Sequence, residues 1–477
     1  ALWELPWLDK RLNQQALAVY FRHLCVPAPI TIIRGARKLK PGCGYYWKSG
    51  FGEEFSYWSI SGVIETSISK PLSLDPVEAA DEFELLLKDV IRSQLRSDVP
   101  YGVLLSSGVD SSLVASLVNQ ESSSTVSTFT IGFHEKTYDE SKYSKQIASH
   151  LGTKHTDKII LPHEVISLVP KLAQIYDEPF ADSSSIPTYL LACLARNYVK
   201  VALAGDGGDE LFGGYPRYFW ASRIERLRST LTPDGAELLG GILKIVPKNW
   251  LDILDSYFMR NRYGGAIGLG NRVHRFASYL QCEPKDFYSN IASAWKNPSE
   301  LLKAEIVEQN NLSPVFDHSE LPWSSRMMAS DQLHFLPDDI LTKTDRASMA
   351  VGLEIRSPLL DHRLVEWSWR LPLQLKLSDN GDNGKIILKD VLDRHVPRRL
   401  MRRPKMGFSI PLAKWLRYEL RPWVESMLTP KRLDEAGLKV AIVMKFWGAH
   451  INGEDHSSEI WTVMMWLQWQ DKWRVII

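Results

Sequence analysis

The stretch Leu104-Leu105-Ser106-Ser107-Gly108-Val109-Asp110-Ser111-Ser112 decides how the rest of this chain is read. A short apolar run, Gly102-Val-Leu-Leu105, gives way to small residues and then at once to a segment of helical spacing, Ser111 to Asn119. A buried strand that turns directly into a helix through small residues lets the backbone approach an anion. The helix start then presents unpaired N–H groups at the positive end of its dipole. Ser106, Ser111 and Ser112 add hydroxyl donors. Asp110 on its own repels phosphate, so it suits a ligand of a phosphate-bound Mg2+. GxxxxGK[ST] occurs nowhere in the chain, which excludes a Walker A loop. Taken alone, the segment is also consistent with an ordinary capped helix following a strand.

Working outward, short apolar runs alternate with helical stretches. The runs are Gly102–Leu105, Val126–Phe133, Lys158–Leu161 and Val199–Leu203; the helical stretches are Ser111–Asn119, Asp139–His150, His163–Tyr176 and Ile186–Asn197. This alternation predicts βαβ units and an α/β fold with a parallel sheet covered on both faces. After about Trp220 strand signals fade and helices dominate. Before the sheet, Leu12–Arg22 has helical spacing, Val26-Pro-Ala-Pro29 stops it, and Ile30–Tyr46 reads as short strands. Ser61–Pro76 reads as a linker, and Val77–Ser97 as an amphipathic helix through Phe83, Leu86, Val90, Ile91 and Leu95. Near the C-terminus, Trp461, Trp466, Trp469 and Trp473 are expected to form a packed core stripe, because the basic interleaving of a nucleic-acid stacking surface is thin there.

Composition narrows the function classes. The chain has 477 residues, 44% hydrophobic and 24% charged, with Lys+Arg 57 against Asp+Glu 56 and a net charge of +1. No bulk field draws it to nucleic acid or to an anionic membrane, and no apolar run approaches the roughly 18 residues of a bilayer span. The four cysteines, Cys25, Cys43, Cys193 and Cys282, lie far apart with no CxxC, which argues against a disulfide framework or structural zinc and for a cytoplasmic setting.

A second chemical signal follows the Val199–Leu203 run. In Gly205-Asp206-Gly-Gly-Asp209-Glu210-Leu-Phe-Gly-Gly-Tyr215, three carboxylates and five glycines fall within eleven residues. Ligands of open α/β sheets bind at the carboxyl ends of such strands, glycines permit close approach, and carboxylates suit a hard cation or acid–base work. Gly and Asp together also make ordinary turns. Further on, Asp338-Asp339 and Lys343-Thr-Asp345-Arg346 lead to Glu354-Ile-Arg356, whose two charges are expected to pair structurally. In Arg402-Arg403-Pro404-Lys405-Met406-Gly407-Phe408, Pro404 and Gly407 bracket Lys405; taken alone the segment is equally a solvated basic loop or one that fixes an ammonium near a phosphate chain, where it stabilises charge developing in nucleotidyl transfer.

These segments together resemble the synthetase domain of the asparagine synthetase family, the glutamine-hydrolysing B type. Ser106–Ser111 resembles its pyrophosphate-binding loop, Ser-Gly-Gly-x-Asp-Ser. Tyr176–Pro187, Gly205–Tyr215, Asp345–Ala350, Arg356–Asp361 and Arg403–Phe408 are similar to segments of its bacterial members, in the family's order. The resemblance implies a parallel-sheet ATP-pyrophosphatase domain (PP-loop, adenine nucleotide alpha-hydrolase-like) with a helical C-terminal part, preceded by a remnant of an N-terminal-nucleophile glutaminase domain. It divides the chain into 1–62, the glutaminase remnant; 63–76, a linker; and 77–477, the synthetase domain.

By the same resemblance, Ser106, Gly108, Asp110 and Ser111 hold the pyrophosphate of ATP, and Asp110 with Asp209 holds Mg2+. Leu104, Ile131 and Gly205 touch the adenosine. Asp206 stands beside the reacting carboxyl and the incoming amine, Tyr215 lines the same pocket, Asp339 belongs to the acceptor site, and Lys405 steadies the phosphates. The implied activity is ATP-dependent amide formation: the aspartate side chain becomes an aspartyl-adenylate with release of pyrophosphate, and ammonia, normally derived from glutamine, gives asparagine and AMP. The alternatives are a relative that amidates another carboxylate, such as a sugar uronate, and a non-catalytic nucleotide-binding relative. Expected partners are small molecules and, within what the resemblance allows, a second copy in a homodimer; nucleic acid and membrane are not expected. Two departures stand out: Ser107 replaces the loop's first glycine, where a positive φ strains any residue with a Cβ, and Ala204 stands where a serine is common. Residues Leu12–Tyr46 resemble the end of the glutaminase domain, whose nucleophile is an N-terminal cysteine. Position 1 is Ala, so the expectation is that the sequence lacks an upstream portion and, as given, does not hydrolyse glutamine.

Overall fold

The computed structural model describes residues 5–135, 137–248, 250–251, 269–305, 318–378, 383–401 and 410–473. Its first strands, β1 (Cys43–Lys48) and β2 (Phe51–Ser56), form an antiparallel hairpin apart from the main sheet. The main sheet is built from β3 (Tyr101–Leu104), β4 (Ser127–Phe133), β5 (Lys154–Ile160), β6 (Val201–Leu203) and β7 (Glu354–Arg356), in the spatial order β5-β4-β3-β6-β7 with every pairing parallel. The α/β parallel sheet expected from the alternation is therefore present, and each of the four apolar runs overlaps one of its strands. Strand β7 was not foreseen. It has three residues with a charge at either end, so it carries no hydrophobic run; pairing with β6 alone makes it a strand.

The sheet separates two cores. Val103 and Leu203 face the helices Pro76–Gln94, Val109–Glu121 and Ser141–Leu151, whose Phe83, Leu87, Val90, Leu113, Leu117 and Ile147 are all fully buried. Phe129, Ile131, Phe133 and Ala202 face the other way, toward the helices Pro162–Ile175 and Ser185–Arg196. Alternation of Ala202 and Leu203 between the faces is the period-2 geometry of a strand. The helix Pro76–Gln94 starts where chemistry places it: Asp75 accepts from Val77 and Glu78 N–H, and Glu78 reaches back to complete a capping box before Pro76 at the first helical turn.

The stretch read as a linker begins with a helix, Ile60–Ile68. Ser59 caps it by accepting from the Gly62 N–H, while Ile60 and Ile64 are buried; this packing outweighs its weak sequence periodicity. The tryptophan stripe is a core, as expected: in the helix Ser457–Trp473, Trp461, Trp466 and Trp469 are at most 1% exposed. The N-terminal helix Gln14–His23 belongs to the same core. Tyr20 Oη donates to the Thr462 carbonyl at 2.8 Å, and the Ala181 N–H donates to the Leu24 carbonyl at 2.7 Å. Among the described residues, no helix is long and apolar enough to cross a membrane.

Candidate active site

Strand order reverses direction between β3 and β6: from β3 the chain proceeds to β4 and β5 on one side, while β6 and β7 lie on the other. The crevice beyond the carboxyl ends of β3 and β6 is the place where such a sheet binds ligands. Both glycine- and acid-rich segments leave the sheet there.

After β3 the backbone passes from Leu104 through Ser106 and Ser107 to Gly108, the N-cap of the helix Val109–Glu121, whose N–H groups lack a side-chain cap. Ser106 folds over this end: its hydroxyl accepts from the Gly108 N–H at 3.1 Å and lies 2.7 Å from that of Ser111. The left-handed strain considered for Ser107 is absent, because Ser107 is not among the residues of positive φ. It is buried, and its hydroxyl donates to Glu140 Oε2 at 2.9 Å. Ala204 is likewise accommodated by backbone pairing, its N–H donating to the Arg356 carbonyl at 2.8 Å.

After β6, Gly205 lies against this loop so closely that a Cβ there would stand 2.7 Å from the Ser111 nitrogen. Gly207 has φ 93° and caps the short helix Gly208–Phe212. The close approach brings two carboxylates to one point. Lys385 Nζ lies 2.5 Å from Asp110 Oδ2 and 2.8 Å from Asp209 Oδ1. Burial disfavours the ammonium, yet the two carboxylates outweigh it and raise its pKa. Lys385 is itself left-handed, with φ 57° at the start of the helix Ile386–Leu392, a costly backbone for a residue with a Cβ.

Lys385 was not singled out in the sequence, where its role depends on a contact distant along the chain. Its position bears on Mg2+. Two carboxylates that converge on one cationic nitrogen have the geometry to share a small hard cation, with phosphate oxygens completing its shell. Asp110 and Asp209 thus fit the ion they were assigned. Among the described residues no group of three or more His, Cys, Asp or Glu is arranged to hold a metal, so any cation here needs ligands beyond the protein's own carboxylates. Leu104 and Ile131 lie on neighbouring strands and Gly205 follows the end of β6 by two residues, so these three flank the same crevice edge. Lys405 and its loop lie outside the described residues.

The other end of the crevice is built from separate segments. Asp182 turns the chain into the helix Ser185–Arg196 and accepts from both the N–H and the hydroxyl of Ser184. Lys343 Nζ sits 2.7 Å from Asp182 Oδ2. Burial works against ionisation of Asp182, but Lys343 and the Ser184 donors hold it down to about 2. Asp339 is 1% exposed, and burial together with the neighbouring Asp182 charge drives its pKa well above the usual carboxylate range. Lys343 also acts on Asp206, whose pKa burial raises; Asp206 Oδ2 accepts weakly from the Ser357 hydroxyl at 3.5 Å. Tyr215 Oη donates to Glu210 Oε1 at 2.7 Å, and burial, with Asp209 beside it, pushes Glu210 up to about 7. Glu354 and Arg356 pair at 2.7 Å, as expected, while Arg356 also reaches the Gln94 and Arg96 carbonyls at the end of the helix Pro76–Gln94.

A π-helical stretch, Asp331–Leu341, carries much of this end. Pro337 within it has no N–H to give and crowds the preceding turn, and the wider turn of a π-helix relieves both. Asp338 then faces the N-terminal segment, accepting from the Ala28 N–H at 3.0 Å, while Asp339 faces Asp182.

The asparagine synthase family model matches residues 82–471. The chain belongs to the asparagine synthase family. It is 28% identical over 468 residues to asparagine synthetase (glutamine-hydrolyzing) 1 of Bacillus subtilis, covering 97% of this chain and 69% of that protein. It is also 28% identical over 473 residues to a putative asparagine synthetase (glutamine-hydrolyzing) of Mycobacterium tuberculosis, covering 98% and 68%. Asparagine synthetase B (glutamine-hydrolyzing) of Escherichia coli matches more locally, 28% over 204 residues. Membership supports an ATP-dependent, asparagine synthase-like ligase acting on small molecules.

Proposed function

We propose that the chain activates the side-chain carboxylate of aspartate with ATP and transfers ammonia to it, forming asparagine, AMP and pyrophosphate. The observation that carries this reading is the convergence of Asp110 and Asp209 on one cationic position beside the uncapped N-terminus of the helix Val109–Glu121, at the sheet's switch point. A carboxylate is a poor acyl donor until its oxygen becomes a good leaving group, and adenylation supplies one. Ser106, Gly108 and Ser111 cradle the pyrophosphate with hydroxyl and backbone donors, and Leu104, Ile131 and Gly205 line the adenosine. Asp110 and Asp209 would hold Mg2+, which would supply neutralisation of the phosphate charge. Lys385 shares that duty from a buried position, and Lys405 is assigned it from its own loop. Asp206 lies between the two ends and takes a proton from the attacking amine; Tyr215 and Asp339 belong to the acceptor pocket. We read residues 1–62 as the end of a glutaminase domain, 63–76 as its connection and 77–477 as the synthetase domain.

The test is AMP and pyrophosphate formation by the pure protein with ATP, Mg2+, ammonia and candidate acids. Aspartate should raise AMP well above background. A uronate that does so in its place would redirect the reading to another acceptor, and no response to any acid would overturn it. Repeating the assay with glutamine as nitrogen source reports separately on residues 1–62.

A further inference from the structure

A cleft that shares no lining residue with the crevice is formed by the helices Ser141–Leu151 and Arg398–Met401, and its volume is about 580 Å3. Lys142, Lys145, Gln146 and Ser149 recur at helical spacing and so line it from one face of the longer helix. Arg399 enters from the shorter helix. His150 lines the cleft too, its Nε2 donating to the His395 carbonyl at 3.0 Å. Among the described residues no carboxylate lines this space, and the side chains of Lys142, Lys145 and Arg399 form neither a hydrogen bond nor an ion pair. The carboxylates that flank the two helices in the chain are engaged elsewhere: Glu140 accepts from the Ser107 hydroxyl at 2.9 Å, and Asp393 pairs with Arg398 at 2.6 Å.

A solvated helix face has no need of such an arrangement, because its charges stand apart and water and salt screen them. Here a guanidinium from a segment distant in sequence joins two ammonium groups around one concavity. Like charges gathered in this way raise the local potential and concentrate anions. Size and donor set narrow the anion. The volume is that of a small-molecule site, whereas a duplex or a bilayer needs an extended surface. The Arg399 fork matches phosphate oxygens bidentately, the two lysines act as point charges, and Gln146 and Ser149 add neutral donors. Three cations balance a chain of two phosphates and exceed what a single carboxylate would bring. We propose that this cleft binds a small ligand carrying a phosphate chain, a nucleoside diphosphate or free pyrophosphate, at a site separate from the nucleotide end of the crevice.

The experiment is amine footprinting of the whole chain: acetylation rates of Lys142 and Lys145, read by mass spectrometry, with inorganic pyrophosphate, ADP, adenosine or citrate at matched ionic strength. At ten times its half-protecting concentration, pyrophosphate or ADP should slow both lysines about tenfold, as mass action requires, and adenosine should not. Pyrophosphate as effective as ADP assigns recognition to the phosphates alone, and a more effective ADP adds contacts to the nucleoside; both sustain the proposal. Arg399→Glu should raise the half-protecting concentration about tenfold or more, the worth of one charge-assisted contact. Acceptor-dependent pyrophosphate exchange, which reports on the crevice, should stay unchanged in that variant; a parallel fall in exchange would overturn the separateness of the site. Should Arg399→Glu fail to fold, the unaltered protein still decides: no protection by either phosphate ligand, or equal protection by citrate, refutes the proposal. Protection by a DNA duplex or by phosphatidylserine vesicles, with none by pyrophosphate or ADP, would overturn it in favour of a polymer or membrane surface.

Discussion

The two ends of the crevice solve the problem of buried charge differently. At the nucleotide end, backbone dominates: Gly205 and Gly208 allow two loops to touch, and one ammonium from Lys385 answers two carboxylates. At the acceptor end, side chains from Asp182, Arg217, Asp339 and Lys343 answer one another, and burial with the neighbouring Asp182 charge raises the pKa of Asp339 against the pull of Lys343. At the first end, two carboxylates share the ammonium of Lys385. At the second, the ion pair of Asp182 and Lys343 lies beside a further buried carboxyl, Asp339. The contrast teaches which end should respond to metal and nucleotide and which to pH.

The largest effect that sharpens this contrast is expected from Lys385→Met. The substitution removes from a buried ion cluster the ammonium that both Asp110 and Asp209 contact, a change that typically costs about 3–5 kcal/mol. If that pair is the cation site, millimolar Mg2+ with ATP should recover part of the loss by binding only the folded state, so the ligand-induced rise in Tm becomes larger in the variant than in the parent. Pyrophosphate exchange should fall by about 10²-fold or more. Thermal unfolding with and without Mg2+-ATP checks it; an equal ligand response in both proteins would dissolve the distinction between the two ends.

Much of the nucleotide end was legible because its residues lie in two unbroken runs, each directly after a strand: Ser106–Ser111 and Gly205–Tyr215. Strand, small residues and helix start are local signals, and a parallel sheet turns them into a site at its switch point. Lys385 was not legible in the same way. Its role depends on a chain reversal that brings residue 385 back to residue 110, and single-chain patterning carries no trace of that contact. Strand β7 was hidden for a related reason, its three residues being held by β6 and by Arg356 anchored on the carbonyls of Gln94 and Arg96. At the acceptor end Asp206, Tyr215 and Asp339 were singled out, but Asp182, Arg217 and Lys343 were not given roles there. The π-helical turn around Pro337 sets where Asp338 and Asp339 point, and neither α-helical nor strand periodicity anticipates it.

A middle-sized effect tests the pH side of the comparison at Asp338. Burial lifts this carboxyl to about 6, although the Ala28 N–H and Lys38 act in the other direction. In the unfolded chain it titrates near 3.8. The folded pKa is the higher, so the folded state holds its proton while the unfolded state releases it. The associated stability is complete below pH 4 and is lost as pH rises through about 6, after which the difference levels off. A shift of this kind corresponds to about 2 kcal/mol, after allowing for incomplete burial. Asp338→Asn cannot ionise and should therefore gain on the parent between pH 4 and pH 6 and run parallel to it above. Asp182, held down to about 2 by Lys343 and Ser184 against its burial, has the opposite sign: its contribution persists above pH 4 and is lost only as pH falls toward 2. Denaturant unfolding of the parent and Asp338→Asn from pH 3 to pH 8 separates the two, and a difference that shrinks as pH rises would contradict the assigned sign.

The smallest effect concerns Ser107, where the family's loop carries glycine. Were φ positive there, Ser107→Gly would relieve strain and stabilise the protein; but Ser107 is not among the positive-φ residues, so there is no such strain to release. What the substitution removes is a buried hydroxyl that donates to Glu140 Oε2 at 2.9 Å, and it adds backbone freedom to the unfolded chain. Both terms destabilise, each by about 1 kcal/mol. The cradle we propose for the phosphates is formed by Ser106, Gly108 and Ser111, whose mutual hydrogen bonds do not involve the Ser107 side chain. Pyrophosphate exchange by Ser107→Gly should therefore stay within about threefold of the parent while its unfolding midpoint drops, with Ser107→Ala losing only the hydroxyl's share. A stabilised Ser107→Gly would mean that the loop binds nucleotide in a backbone conformation other than the one seen here. In that case the nucleotide end would be completed only by its ligand.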